Sequence, residues 1–249
     1  MNHKLATNKR TWDKVAAKFH GVCALPEWGP FAVEKNDRTL IGAIKGKTFL
    51  EIGCGSGHSI AYLISHGAKK VYGLDISHAQ IEAARDTNRK AVDSGRVELF
   101  ECPMEATIDI APVDVVFSIY AVGWTTDPAR LFQNVRSYLK PKGTFVWSAG
   151  HTMFDDVAFR QGRLVVTRSY HDERITIGGW GKGKETYLTS RKISTWFKLL
   201  TENGFRVLEY LEPQPFHVPR NYDKDPTRYF SIIKANQLPC TMIWKCERT

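Results

Sequence analysis

The chain has 249 residues, 43% hydrophobic and 24% charged, with 19 glycines and 11 prolines, a balance that excludes a disordered, collagen-like or low-complexity protein. Its 35 Lys and Arg against 26 Asp and Glu give a net charge of +9, which admits nucleic acid, an anionic surface or an anionic substrate as partner. The basic residues are dispersed, without an Arg-rich tract or a stripe interleaved with aromatics, so a solvated surface is expected rather than a nucleic-acid footprint.

Residues 1–45 read as helical, with Trp12, Val15, Ala16 and Phe19 at helical spacing, broken over Gly21–Pro30. From Lys47 short apolar runs alternate with amphipathic stretches. Thr48–Ile52 reads as a strand, followed by a glycine loop and a helix to about Ser65. Val71–Leu74 is the next strand, and Ser77 is placed to cap a helix over Ser77–Ser94. Strands are predicted at Val97–Phe100, Val113–Ser118 and Gly143–Ser148, with a helix at Pro128–Leu139 ended by Lys140-Pro141. Such alternation implies a parallel sheet covered by helices on both faces.

After His151 the rhythm stops. Arg163–Tyr170 and Arg174–Ile177 read as short strands, Ile193–Glu202 as a helix ended by Gly204, and Phe205–Leu211 and Cys240–Cys246 as strands. Glu212–Asn236 is expected to loop over the sheet. The organisation expected is one domain: a helical cap at 1–45, a ligand-binding core at 46–150, an insertion at 151–187, and completing strands at 188–249. The five cysteines form no CxxC pair, so free thiols in a reducing compartment are expected. No apolar run approaches the ~18–20 residues of a membrane span, and Met1–Arg10 has no hydrophobic signal core. A cytoplasmic location without membrane contact follows as an expectation.

The informative segment is Phe49–His58 (FLEIGCGSGH), where a hydrophobic run passes into Gly53, Gly55 and Gly57 and then a helix. Glycines there let a ligand reach the backbone, and a helix start offers free N–H groups. Asp75 ends the second strand and can accept both hydroxyls of a ribose; its competing reading is a helix cap. The pattern is G-x-G-x-G preceded by Glu51, where a dinucleotide fingerprint reads G-x-G-x-x-G. A carboxylate at Glu51 repels pyrophosphate and suits an ammonium group. The ligand expected is therefore a nucleoside with an amino-acid tail.

The segments LEIGCGSG (Leu50–Gly57), GLDIS (Gly73–Ser77) and LKPKGTFVWS (Leu139–Ser148) resemble, in order, three motifs of the class I S-adenosylmethionine-dependent methyltransferases. Within that superfamily the chain is most similar to the methyltransferase type 11 group, through Val113–Phe132 and Ile193–Pro215. The resemblance implies a Rossmann-like, seven-stranded, mostly parallel sheet of order 3-2-1-4-5-7-6 with strand 7 antiparallel. It implies S-adenosylmethionine as cofactor, with Gly53, Gly55 and Gly57 along the methionyl part and Glu51 and the Cys54 backbone near the amine. Asp75 would take the ribose, Ile76 the adenine face, Met104 and Glu105 the adenine edge, and Ser118 and Tyr120 would lie beside the sulfonium. One departure stands out: the family commonly has Gly-Asp ahead of Met104, and here Cys102-Pro103 offers neither that N–H nor that carboxylate.

Methyl transfer from a sulfonium is an in-line displacement that needs a base only when the acceptor must lose a proton. His151, after the fifth strand, is the candidate base, with Tyr120 the second catalytic candidate and a hydrogen-bonded structural role the competing reading of His151. Trp12, Phe19, Trp124 and Trp180 are the candidate acceptor-binding residues. The Asn/Asp-Pro-Pro-Tyr signature of amino-methylating DNA enzymes is absent at Ser118–Ala121, so nucleic acid is not the expected acceptor. The function expected is methyl transfer to a small-molecule N, O, C or S acceptor. The alternatives are an RNA- or protein-modifying methyltransferase and a non-catalytic binding module.

Overall fold

The computed structural model describes residues 2–32, 38–179, 182–215 and 229–249. In chain order the elements are α1 (His3–Val15), α2 (Arg38–Ile41), β1 (Thr48–Ile52), α3 (His58–Ser65), β2 (Lys70–Asp75), α4 (His78–Thr87), α5 (Arg89–Asp93) and β3 (Val97–Glu101). Then come β4 (Val113–Ile119), α6 (Pro128–Tyr138), β5 (Leu139–Gly150), β6 (Val157–Arg160), β7 (Arg163–Val166), β8 (Ile175–Gly179) and β9 (Glu185–Thr189). The chain closes with α7 (Ile193–Glu202), β10 (Phe205–Leu211), α8 (Ile232–Ala235) and β11 (Thr241–Arg248).

Seven strands form one sheet in the order β3-β2-β1-β4-β5-β11-β10. The first five are mutually parallel, and β11 runs antiparallel to both β5 and β10. This is the Rossmann-like order that the resemblance implies. Strand periodicity splits the side chains between two cores. Leu50, Val116, Phe145 and Trp147 face α6 and α7, whereas Phe49, Val115, Phe117 and Val146 face α3. Glu51 shares the parity of Phe49 and so emerges on the α3 side, beside Ser59.

Capping explains where the helices begin. The Ser77 hydroxyl accepts from Gln80 N at 3.3 Å to start α4, and Asp127 accepts from Arg130 N at 3.0 Å to start α6, with Pro128 in the first turn. The helix expected over 77–94 is two helices, because Asn88 turns its backbone to φ −113°, ψ 18°. Its amide donates instead to the carbonyls of Gly57 at 2.9 Å and Ala84 at 3.0 Å. Helix α1 likewise ends at Val15 and passes into a tight turn over Ala16–Phe19. Strand β5 starts earlier than its apolar run: Leu139 pairs with Val113, Lys140–Gly143 bulge out, and Thr144 rejoins opposite Val115.

The segment after β5 folds as two hairpins, β6-β7 and β8-β9. Strands β6 and β9 carry too little alternation to be predicted from sequence and exist through pairing. The loop expected at 212–236 contains α8, and its residues 216–228 lie outside the described set. Among the described residues no helix is long and apolar enough to cross a membrane, and the five cysteines are free thiols.

Candidate cofactor and acceptor cavity

The loop after β1 is shaped by backbone bonds to the end of β2. Gly53 N and Cys54 N both donate to the Leu74 carbonyl, at 2.8 and 2.9 Å, and Gly55 N donates to Asp75 Oδ2 at 3.0 Å. Gly53 has φ +71°, and a Cβ there would stand 2.2 Å from the Ala121 methyl, so only glycine fits between β1 and the turn after β4. Gly57, at φ +74°, caps α3, and its missing Cβ makes room for Asn88 and Ala84. Gly55 faces open space, with nothing nearer its Cβ position than Gln80 Oε1 at 3.9 Å.

Above this loop lies a cavity of about 930 Å³, at the upper end of the range for small-molecule sites. Helix α1 and the β8-β9 hairpin roof it. The Asn8 side chain pairs with the β9 backbone as a strand would, accepting from Tyr187 N at 2.7 Å and donating to Tyr187 O at 3.1 Å. Thr11 donates to Glu185 O at 2.5 Å, and Asp13 accepts from the Ser77 hydroxyl at 2.7 Å. The roof is thus tied both to the hairpin and to the start of α4.

Most residues singled out from sequence line this cavity: Trp12, Phe19, Glu51, Gly53, Cys54, Gly55, Asp75, Ile76, Met104, Glu105, Tyr120 and Trp124. Trp12 meets Phe19 and Trp124 edge-on, with ring centroids 5.3 and 5.4 Å away. Asp75 accepts from Gly55 N at 3.0 Å and Ser77 N at 2.9 Å. Burial outweighs those bonds and pushes its carboxyl up to about 6. Glu51 is 3% exposed. Burial raises its carboxyl well above the usual range, against the lowering effect of a hydrogen bond from Ser59, and one oxygen, Oε2, has no partner. Glu105 Oε1 accepts from Thr125 Oγ1 at 2.8 Å and Thr126 N at 2.7 Å, holding the Trp124 loop, while its Oε2 is also unpartnered. Burial raises the Cys54 thiol, which stays protonated.

Three candidates are placed differently, and a fourth is not described. Ser118 is fully buried and donates to the Ile52 carbonyl at 2.7 Å, stitching β4 to β1. Gly57 lies behind the loop and does not line the cavity. His151 is 2% exposed and stands off the cavity, with both ring nitrogens committed. Met153 N donates to Nδ1 at 3.2 Å, which leaves the proton on Nε2, 2.9 Å from Glu212 Oε1. Burial lowers the His151 pKa against the pull of Glu212. The geometry answers to the structural histidine rather than to a base reaching a bound acceptor. Trp180 lies outside the described residues.

Tyr120 lines the cavity with its ring but not with a free hydroxyl. Thr241 donates its own proton to Pro30 O at 3.0 Å, so the Tyr120 hydroxyl, 2.7 Å away, donates to Thr241 Oγ1. Burial raises the Tyr120 pKa well above 10, so it is a wall and not a base at neutral pH. Its φ of +57° is held by the Tyr120 N–H to Ser148 O bond of 3.0 Å and by Gly29, whose Cβ position falls 2.0 Å from the ring.

The clearest sign of a ligand is where hydrogen bonding is left incomplete. Nine buried side-chain polar atoms lack a partner among the described residues, and five belong to cavity-lining residues: Glu51, Gln80, Glu105, Thr152 and Arg191. Buried polar groups are seldom left unpaired, so their convergence on one cavity marks a binding site. Sequence reading missed Gln80, Thr152 and Arg191. Gln80 was within reach of it, one turn after the Ser77 cap, whereas the other two sit in segments with no motif.

Comparison with known proteins places this architecture. Residues 50–147 match the family model described as a methyltransferase domain. A tRNA U34 carboxymethyltransferase from Pseudoalteromonas translucida is 31% identical over 140 residues, 54% of this chain and 42% of that protein. One from Aeromonas hydrophila is 29% identical over 205 residues, 80% of this chain and 57% of that protein. The chain thus spans about half the length of the curated relatives it matches. An S-adenosylmethionine-dependent methyltransferase structure from Mesorhizobium loti superposes with a TM-score of 0.69 at 23% identity, over 85% of this chain and 95% of that one. By motif order, strand order and the match over residues 50–147, this part of the chain is similar to methyltransferase domains, and the chain shares the Rossmann-like fold of S-adenosylmethionine-dependent methyltransferase structures.

Proposed function

We propose that this protein binds S-adenosylmethionine in the cavity above the β1 loop and transfers its methyl group to a small-molecule acceptor. The observation that carries the reading is the set of unpartnered oxygens lining one cavity, Glu51 Oε2 and Gln80 Oε1 by the glycine loop that ends beside Asp75 and Glu105 Oε2 from the turn at Thr125–Thr126. These are hydrogen-bond acceptors, and the cofactor offers matching donors in its ammonium, ribose hydroxyls and adenine amine. Glu51 would hold the ammonium, Asp75 the ribose, Ile76 the adenine face, and Met104 with Glu105 the adenine edge. Bound there, the cofactor supplies an electrophilic methyl on a sulfonium.

What the chain itself contributes is position and dryness. Orientation alone can supply about 7–11 kcal/mol of a two-reactant barrier. The α1–β9 roof and the Trp12, Phe19, Trp124 and Tyr120 rings keep water from the reacting end. Among the described residues that line the cavity, Asp155 is a carboxyl able to receive a proton, raised by burial against the hydrogen bond it accepts from Tyr229.

An RNA acceptor is the second reading, favoured by the names of the tRNA U34 carboxymethyltransferase relatives and the charge of +9. The roofed, mainly apolar cavity favours the small molecule. Methyl-labelled S-adenosylmethionine, incubated with the protein and either a metabolite extract or total tRNA, separates the two. Label in a low-mass product is expected; label confined to tRNA would replace the first reading with the second.

A further inference from the structure

Arg191 is not among the residues assigned to the cofactor above, yet among the described residues it is a charged donor of the cavity with an unanswered valence. It lies between β9 and α7, lines the cavity, and stacks its guanidinium over Trp196 at 4.8 Å from the ring centroid. Nη1 is shut off from solvent and has no hydrogen-bond partner. Among the described residues Arg191 forms no ion pair. The acids whose charge it feels, Glu173 and Asp127, are engaged elsewhere: Glu173 accepts from Lys192 N at 2.6 Å, and Asp127 caps α6. Burial lowers the guanidinium to about 10, which leaves it cationic at neutral pH. Thr152, just after β5 and 7% exposed, lines the same cavity and adds a hydroxyl that is shut off from solvent and also unpartnered.

The cavity is therefore polarised. By the β1 loop the unanswered atoms, Glu51 Oε2 and Gln80 Oε1, are acceptors; after β5 and before α7 the lining adds a guanidinium N–H and a hydroxyl able to donate. A planar guanidinium matches carboxylate or phosphate oxygens in a way that water or an amide does not. We propose that Arg191, with Thr152, forms an oxyanion subsite for the methyl acceptor, so that the acceptor is a small molecule bearing a carboxylate or a phosphate. The proposal rests on the small-molecule reading above and names its substrate class. The cofactor's own carboxylate is the other source of such a group. It sits on the same carbon as the ammonium assigned to Glu51, whereas the polar neighbours of Glu51 are Ser59 and Asp75 and those of Arg191 are Glu173 and Asp127.

The test uses the full chain loaded with S-adenosylhomocysteine, and benzoate, phenyl phosphate and benzamide as probes followed by calorimetry. One anion is expected to bind roughly tenfold or more tighter than benzamide, the scale of a charge-assisted hydrogen bond, and which anion wins tells carboxylate from phosphate. Arg191→Met keeps the stem over Trp196 and removes the charge; it should abolish the preference and leave S-adenosylhomocysteine affinity unchanged. Equal binding of all three probes, no binding of either anion, or a preference that survives Arg191→Met would overturn the proposal. A loss of S-adenosylhomocysteine affinity in Arg191→Met would also overturn it, by assigning Arg191 to the cofactor carboxylate, as would binding of a tRNA that depends on Arg191 when neither small anion binds. If Arg191→Met fails to fold, the wild-type ranking of anion over amide and its retention in Arg191→Lys decide. If wild type takes up no S-adenosylhomocysteine, the cofactor reading fails separately, and the same probes on the unloaded protein still test the subsite.

Discussion

Replacing Glu51 with glutamine should move stability and binding in opposite directions. The side chain is 3% exposed, receives a hydrogen bond from Ser59, and leaves Oε2 unpartnered. Ser59 is itself oriented, since its oxygen accepts from Leu25 N at 3.2 Å. In the unloaded protein the burial of this carboxyl raises its pKa above the unfolded value. The folded state then binds more protons than the unfolded one, and stability falls as pH rises from the ordinary glutamate range toward the raised pKa. Glutamine keeps an acceptor for Ser59 and has no charge to desolvate. Unloaded Glu51→Gln should therefore melt no lower than wild type at pH 8 and show a flatter dependence of melting temperature on pH. Binding should respond the other way, because the variant loses a charge-assisted bond to the ammonium. Such bonds contribute about 1.5–3 kcal/mol, so S-adenosylhomocysteine affinity should drop roughly ten- to 150-fold. Calorimetric titration and thermal unfolding on the same preparation read both quantities. A Glu51→Gln protein that binds with wild-type affinity would refute the assignment, and one that unfolds early would show that Glu51 is a structural carboxylate.

Other expectations concern neighbouring parts of the site and one distant control. Because the Asp75 carboxyl is raised to about 6, cofactor affinity should weaken as pH falls through 6, approaching roughly tenfold per unit. Its raised pKa makes the same protonation favour the unloaded fold, so affinity and stability should diverge with acid; an affinity flat from pH 8 to 5 would contradict the ribose role. Gly53→Ala forces a methyl to within 2.2 Å of Ala121 at φ +71° and should cost about 1–3 kcal/mol in denaturant unfolding; an unchanged midpoint would show that the turn after β4 yields freely. Asp114 accepts from Thr48 N at 2.9 Å, Thr48 Oγ1 at 2.8 Å and Lys140 at 2.9 Å, which hold its pKa down at about 2. Asp114→Ala should lose about 1–3 kcal/mol of stability at pH 7, an effect that fades below pH 4 as the wild-type carboxylate protonates, with cofactor affinity intact. His151→Gln should keep methyl transfer within a few-fold of wild type in a radiolabel assay, since both ring nitrogens serve the fold; a collapse in kcat with the fold intact would reinstate it as a base.

The alternation of apolar runs with amphipathic stretches over 47–150, the three glycines after β1 and the acid closing β2 were legible in the chain itself, because each depends on neighbours a few residues away. Local periodicity determines which face of a strand is apolar, and a glycine loop between strand and helix is a property of contiguous residues. From these alone follow the sheet class and the place of the cavity above the glycine loop, many of whose lining residues were named from sequence. Only tertiary structure decided the rest. Strands β6 and β9 exist through their partners, and the helix after Ser77 breaks because Asn88 turns to the Gly57 carbonyl. His151 and Ser118 look equivalent to site residues by position, yet long-range bonds to Glu212 and Ile52 draw them into the fold. Arg191 shows the converse: nothing adjacent marks it, and it acquires meaning from the absence of a partner once the chain has closed around it. Whether a polar atom is satisfied is a property of the whole packed molecule, and the proposed oxyanion subsite of this cavity rests on that property rather than on any motif.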